Sequence, residues 1–234
     1  MPEPFQYFQF SFRDVAPSSD ELFRFIHSSG IEEHHPAKIF VEEILRKLEN
    51  MEGISGGYQL KRDVTVSGKE GLIAVEGNEL YTGKQIAGYL KDAASLAVFV
   101  CTAGPAFTNI ARTMNTNGDV MEAYLLDAIG SLTVEKAMDL IQQHLADKMK
   151  AENLHISNRY SPGYCNWGLN EQKKLFSLMG GDQVGVTLTD SCLMIPEKSV
   201  SGIIGVGKEV KKHHYGCKIC NNSSCVYRKI THEK

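Results

Sequence analysis

Apolar positions along the chain switch repeatedly between helical and strand spacing. Ser18-Ser19-Asp20 reads as a helix start, with Leu22, Phe23 and Ile26 following at helical intervals. Pro36 is placed to open a second helix at its first turn. There Ile39, Phe40, Ile44 and Leu48 form an apolar stripe beside Glu43 and Lys47. Gly53, Gly56 and Gly57 are expected to end it. Tyr58, Leu60, Val64 and Val66 alternate with polar residues as in a strand, with Leu72–Val75 expected to pair with them across Ser67-Gly68 or Gly71. Thr82-Gly83-Lys84-Gln85 has the form of a capping box before Ile86 and Leu90. Leu96–Cys101 is a short β-prone run that reads as a buried strand, broken by Gly104-Pro105. The longest helical signal runs from Val120 to Lys150, with no proline to interrupt Tyr124, Leu125, Ala128, Leu132, Ala137, Leu140, Ile141 and Leu145. Beyond Asn158 the texture becomes β-prone: Val184–Leu188, Ser199–Val206 and Tyr215–Ile219, with a helix expected over Leu169–Met179. Helices and strands do not alternate regularly, which points to an α+β fold with a mainly antiparallel sheet.

Composition narrows the class. The 234 residues are 42% apolar and 23% charged, which fits one large domain or two small ones with a core that needs no staples. No repeat or linker divides the chain, so a single domain over 1–234 is expected. Leu96–Cys101 is the longest apolar run and falls far short of the ~20 residues a membrane helix needs. Met1–Phe10 is rich in proline and aromatics and does not resemble a signal segment, so a soluble cytoplasmic protein is expected. A formal net charge of −3 argues against a general nucleic-acid binder. From Val206 to Lys234, however, seven Lys or Arg stand against two Asp or Glu. That basic end fits either a solvated face or an acidic partner or anionic ligand.

Three of the six cysteines crowd into this end as Cys217-x-x-Cys220-x4-Cys225. Two thiolates at x-x spacing can bind one metal from a single turn, and Cys165 is a candidate fourth ligand. Zinc or an iron–sulfur cluster fits such a set; free thiols in a C-terminal hairpin are the alternative. His213 and His214 lie near the cluster and read as a basic turn, with metal ligation as the alternative, while His34, His35 and His144 read as solvated. Gly202–Lys208 nearly spells a phosphate-binding loop but lacks the final Ser or Thr, and apolar residues fill it. No dinucleotide fingerprint, nucleophile elbow or zinc-protease motif occurs. The densest segment is Arg159-Tyr-Ser-Pro-Gly-Tyr-Cys-Asn-Trp167. An Arg can grip a carboxylate, a Pro-Gly turn lets a ligand approach backbone, and aromatics can stack on a base. This chemistry fits S-adenosylmethionine; a tight turn packed by its own aromatics is the plain alternative. The Ser/Thr-rich run Thr187–Gly202 reads either as a strand lining a site or as an edge strand with a solvated face.

Taken in order, Arg159-Tyr-Ser-Pro-Gly-Tyr164, Glu171-Gln-Lys-Lys-Leu-Phe176, Val186-Thr-Leu-Thr-Asp-Ser191, Met194-Ile-Pro196 and Ser199-Val-Ser-Gly202 resemble the reactivation domain of cobalamin-dependent methionine synthase. The resemblance is strongest over 119–215 and loose over 1–100, while the Cys-rich segment 216–234 lies outside it. It implies a curved, mainly antiparallel sheet with flanking helices that binds S-adenosylmethionine. In that family, inactive cob(II)alamin on a partner is reduced by one electron and methylated by S-adenosylmethionine. Residue by residue, the resemblance implies that Arg159 pairs with the ligand carboxylate. It implies that Ser161 and Gly163 meet the adenosyl part through backbone, that Tyr164 completes the motif, and that Glu135 meets the ligand from the long helix.

Departures are also visible. Cys165-Asn-Trp replaces the family's Pro-Ala-Cys after the Tyr, and a later family Tyr falls at His214 or Tyr215. The chain has no Asp-x-His-x-x-Gly motif, so the corrinoid is expected on a partner, most simply methionine synthase, with a flavodoxin- or ferredoxin-type electron donor. No side-chain base is required, because cobalt is the nucleophile, and no catalytic residue is assigned. The alternative is a metal- or iron–sulfur-binding electron-transfer or structural protein with a vestigial pocket.

Overall fold

The computed structural model describes residues 3–26, 36–180 and 184–213. His34, His35, the expected strand Tyr215–Ile219, the alternatives His214 and Tyr215, and Cys217, Cys220 and Cys225 lie outside the described residues.

The first strand, β1 (Gln6–Phe10), leads into the short helix α1 (Phe12–Val15) and then α2 (Ser19–Phe25). Ser18 caps α2 reciprocally: its Oγ accepts from Glu21 N at 3.2 Å, and the Glu21 carboxylate accepts from Ser18 N at 2.7 Å. Helix α3 (Pro36–Lys47) follows, then β2 (Ile54–Lys61), β3 (Val64–Ser67), β4 (Leu72–Val75) and β5 (Asn78–Tyr81). Next come α4 (Gly83–Tyr89), β6 (Ser95–Thr102), α5 (Ala106–Asn117), the long α6 (Val120–Ala151) and β7 (His155–Tyr160). A 3-10 turn at Leu169–Glu171 runs into α7 (Gln172–Leu178), and β8 (Thr187–Leu188), β9 (Met194–Ile195) and β10 (Ser199–Gly207) complete the described chain.

The main sheet has the order β1-β2-β6-β10-β7, and all its pairings are antiparallel. Strands β3-β4-β5 form a separate small sheet, and β8-β9 a ribbon. One core lies between the main sheet and α6, holding Phe99, Cys101, Ile129, Ile141 and Ile204. A second lies on the opposite face, where Val98, Val100, Trp167, Leu175 and Ile203 meet the small sheet, α4 and α7. The main sheet is therefore buried on both faces, which is why β6 reads as an unbroken apolar run. No helix among the described residues is long and apolar enough to cross a membrane.

Several local expectations change. Val64 and Val66 do pair with Leu72–Val75, but Tyr58 and Leu60 belong to the main sheet beside β6. Gly56 and Gly57 sit inside β2 and do not end α3. A Cβ on Gly56 would lie 2.8 Å from Cys101 Sγ and Ile141 Cδ1, so glycine here admits close approach of α6 to the sheet. The Thr82 capping box does not form: Thr82 is helical, and its Oγ1 lies 3.5 Å from Gly71 O. Only Thr187–Leu188 of the run Val184–Leu188 is strand. The nearly phosphate-binding stretch Gly202–Lys208 is mostly β10 itself, as its apolar residues required.

Candidate functional site

Strand β7 pairs with β10 only from Ile203 to Gly207, because the chain turns away after Tyr160. Ser199–Gly202 therefore has β6 on one side and no ladder partner on the other. A cavity of about 910 Å³ opens at this gap, at the upper end of the usual size for a small-molecule site. Helix α6 supplies Glu135, Met138 and Gln142; β7 and its turn supply Arg159, Ser161, Pro162 and Tyr164. The ribbon and β10 supply Cys192–Met194 and Ser199–Ser201. The run Thr187–Gly202 thus lines a site, the first of its two sequence readings.

The walls are tied together by polar contacts. Lys198 Nζ lies 2.7 Å from Asp127 Oδ1 and 3.1 Å from Ser131 Oγ, fastening the start of β10 to α6. Glu171 is buried and accepts from Tyr81 N at 2.8 Å, which roots the approach to α7 on the small sheet.

Charge is concentrated where β7 faces α6. Arg159 Nη2 lies 3.1 Å from Glu135 Oε2 and 2.9 Å from Asp139 Oδ1. Arg159 Nη1 is buried and has no partner among the described residues. A guanidinium donor left unpaired in a cavity wall costs free energy that an anionic ligand group would recover. The Glu135 side chain is 38% exposed, but into the cavity. Burial raises its pKa above the ordinary 4.5; Arg159 opposes that rise and Asp139 adds to it. Arg159, Glu135 and Asp139 together sum to one negative charge when ionised. They can hold a carboxylate at Nη1 and a cationic group near Glu135.

Glu135, Arg159, Ser161 and Tyr164 all line this cavity. Gly163 does not line it, but turns the chain beside it at φ +94°. Cys165 is half-buried at φ +51° in the same turn. Of the three aromatics in the segment, only Tyr164 reaches the cavity. Tyr160 and Trp167 are core residues, because strand alternation and the turn direct them to the α7 face. Asp139 escaped sequence reading although its signal was present: it stands four residues beyond Glu135, on the same helical face. Phe99, Gln172 and Cys192 also line the cavity; Gln172 falls in the Glu171–Phe176 motif and Cys192 in the Thr187–Gly202 run, whereas Phe99 reads only as part of a buried strand. Among the described residues there is no cluster of three or more metal-ligating side chains.

An antiparallel α+β domain with a charged cavity at the end of an interrupted strand is the class defined by these features. The chain belongs to the activation-domain family of vitamin B12-dependent methionine synthase, whose family model matches residues 86–229, more than half its length. Among solved structures it is similar to the MetH reactivation domain bound to AdoHcy, at 16% identity and a TM-score of 0.65. The alignment covers 91% of this chain and 81% of that one. No protein of curated function matches it.

Proposed function

We propose that this protein binds S-adenosylmethionine in the β7–α6 cavity and supports reductive methylation of cobalamin carried by a partner corrinoid methyltransferase in the cytoplasm, most simply methionine synthase. The observation that carries this reading is Arg159, with one buried, unpartnered nitrogen beside two carboxylates. S-adenosylmethionine would supply an electrophilic methyl group, and a flavodoxin- or ferredoxin-type donor the electron. The chain's own residues bind and orient: Arg159 takes the carboxylate and Glu135 faces the ammonium and sulfonium. Ser161, Gly163 and Tyr164 frame the adenosyl part. No proton transfer is needed, so catalysis here is positioning and exclusion of water. Exposed apolar side chains at the mouth, including Tyr164, Leu169 and Leu193, are surface for the partner to cover.

Calorimetric titration with S-adenosylhomocysteine tests the binding step, and pH sharpens it. A neutral Glu135 cannot attract an ammonium group. Its pKa lies above 4.5 in the free protein, so affinity is expected to rise as pH climbs from 4.5 through that value, with protons released on binding. Glu135→Gln should flatten the profile. Absence of binding at every pH contradicts the reading.

A second proposal concerns the thiols. The side chain of Asn158 holds both His213 N and His213 O at 2.8 Å, and the His213 ring lies 4.7 Å from that of Tyr89. Lys212 lines the cavity. Cys217, Cys220 and Cys225, with Cys165 as fourth ligand, would hold zinc or an iron–sulfur cluster. A cluster there would relay the electron; this is also where the alternative reading as an electron-transfer or structural metal protein begins. Metal analysis of anaerobically purified protein should find iron or zinc that Cys217→Ser and Cys220→Ser lose. Metal-free wild-type protein contradicts the site.

A further inference from the structure

The cavity has a second polar patch, on the face of the main sheet turned away from Arg159. Arg159 pairs with Ile204, a residue of the core under α6. Ser201 pairs with Val100, a residue of the core under α7. Side chains alternate between faces along a strand, so Arg159 and Ser201 stand on opposite faces of the sheet. One cavity reaches both because β7 ends at Tyr160 and leaves Ser199–Gly202 without a ladder partner on that side.

Ser201 is only 2% exposed, and its Oγ has no partner among the described residues. Gln172, the first residue of α7, is 3% exposed and also lines the cavity. An unpaired hydroxyl buried in a cavity wall costs free energy that a ligand group able to pair with it would recover. Leu169, Cys192 and Met194 flank them and give the patch an apolar lining. A slot with apolar walls and one amide offers a flat heteroaromatic ring both contact surface and paired polarity. An amide carries a donor and an acceptor side by side, the pattern presented by the edge of an adenine.

We propose that Gln172 and Ser201 form the subsite that reads the base of the bound nucleoside, across the sheet edge from the amino-acid end held by Arg159. The ligand then passes the free edge of β10, its base on the α7 face and its carboxylate on the α6 face. This inference rests on the S-adenosylmethionine reading of the same cavity and adds the residues that select the base.

The test compares S-adenosylhomocysteine with 5′-methylthioadenosine, which keeps base, ribose and sulfur but lacks the amino-acid end. Calorimetry or competition is run on wild type, Gln172→Met, Ser201→Ala and Arg159→Ala, each checked by thermal melting. Gln172→Met and Ser201→Ala should weaken both ligands by the same factor, about tenfold. Arg159→Ala should weaken S-adenosylhomocysteine alone. Folded Gln172 and Ser201 variants with unchanged affinities would overturn the subsite, as would losses confined to S-adenosylhomocysteine or failure of 5′-methylthioadenosine to compete for the wild-type site. Wild-type protein that binds no S-adenosylhomocysteine would instead overturn the reading beneath it.

Discussion

Arg159→Ala is expected to weaken S-adenosylhomocysteine binding by about 100-fold, the value of a charge-assisted, paired contact to a carboxylate. The residue's geometry is the reason. Glu135 and Asp139 hold Nη2 and fix the guanidinium plane, while Nη1 stays buried and unpaired. Arg159→Lys keeps the charge but loses the planar fork, so it should retain only part of the affinity. The alanine variant also leaves Glu135 and Asp139 without their cation, so its melting temperature must be read beside its affinity. A folded Arg159→Ala protein that binds as wild type does would remove the anchor from the account.

Gly202→Ala is expected to damage fold and site together. A Cβ at this position would lie 2.2 Å from Tyr160 O, 2.8 Å from Phe99 Cζ and 2.9 Å from Ser161 Oγ. The first of these is backbone and cannot rotate away. Relief requires β10 and β7 to separate where β7 turns off and the cavity begins. Overpacking of this kind costs about 3 kcal/mol, which lowers the melting temperature of a chain this size by roughly 6–12 °C. Ligand affinity should fall with it, because Ser161 and Arg159 follow Tyr160. A melting temperature within a degree of wild type would show that the strands tolerate the methyl group.

That collision also gives a physical reason for glycine at the end of the Ser199-Val-Ser-Gly202 motif. The motif was legible in the sequence; the role of each residue in it was not. Helix α6 was readable because its apolar period runs unbroken over many turns. Strands β6 and β10 were readable because burial on both faces leaves continuous apolar runs. Strand β1 was missed: its aromatic and glutamine residues form an edge strand only because β2 pairs with them. Helix α5 was missed because its Thr and Asn residues favour helix weakly. Packing against α6 holds it, with Phe107 against Gly130. The division into two sheets rested on contacts that a period-2 pattern does not encode. At the site, the resemblance located Glu135 and Arg159, and the antiparallel return of β7 along α6 brings them together across 24 positions. Gln172 and Ser201 lay inside quoted motifs, but their meeting in one cavity was not legible, since it depends on where β7 ends.

The proposed function requires that the bound methyl donor serve cobalt on another protein. Its most direct measurement follows a labelled methyl group from S-adenosylmethionine to the cobalamin of an inactive corrinoid methyltransferase under reducing conditions. Transfer should require this protein and be lost with Arg159→Ala. Transfer at the same rate without the protein, or undiminished with the variant, would contradict it.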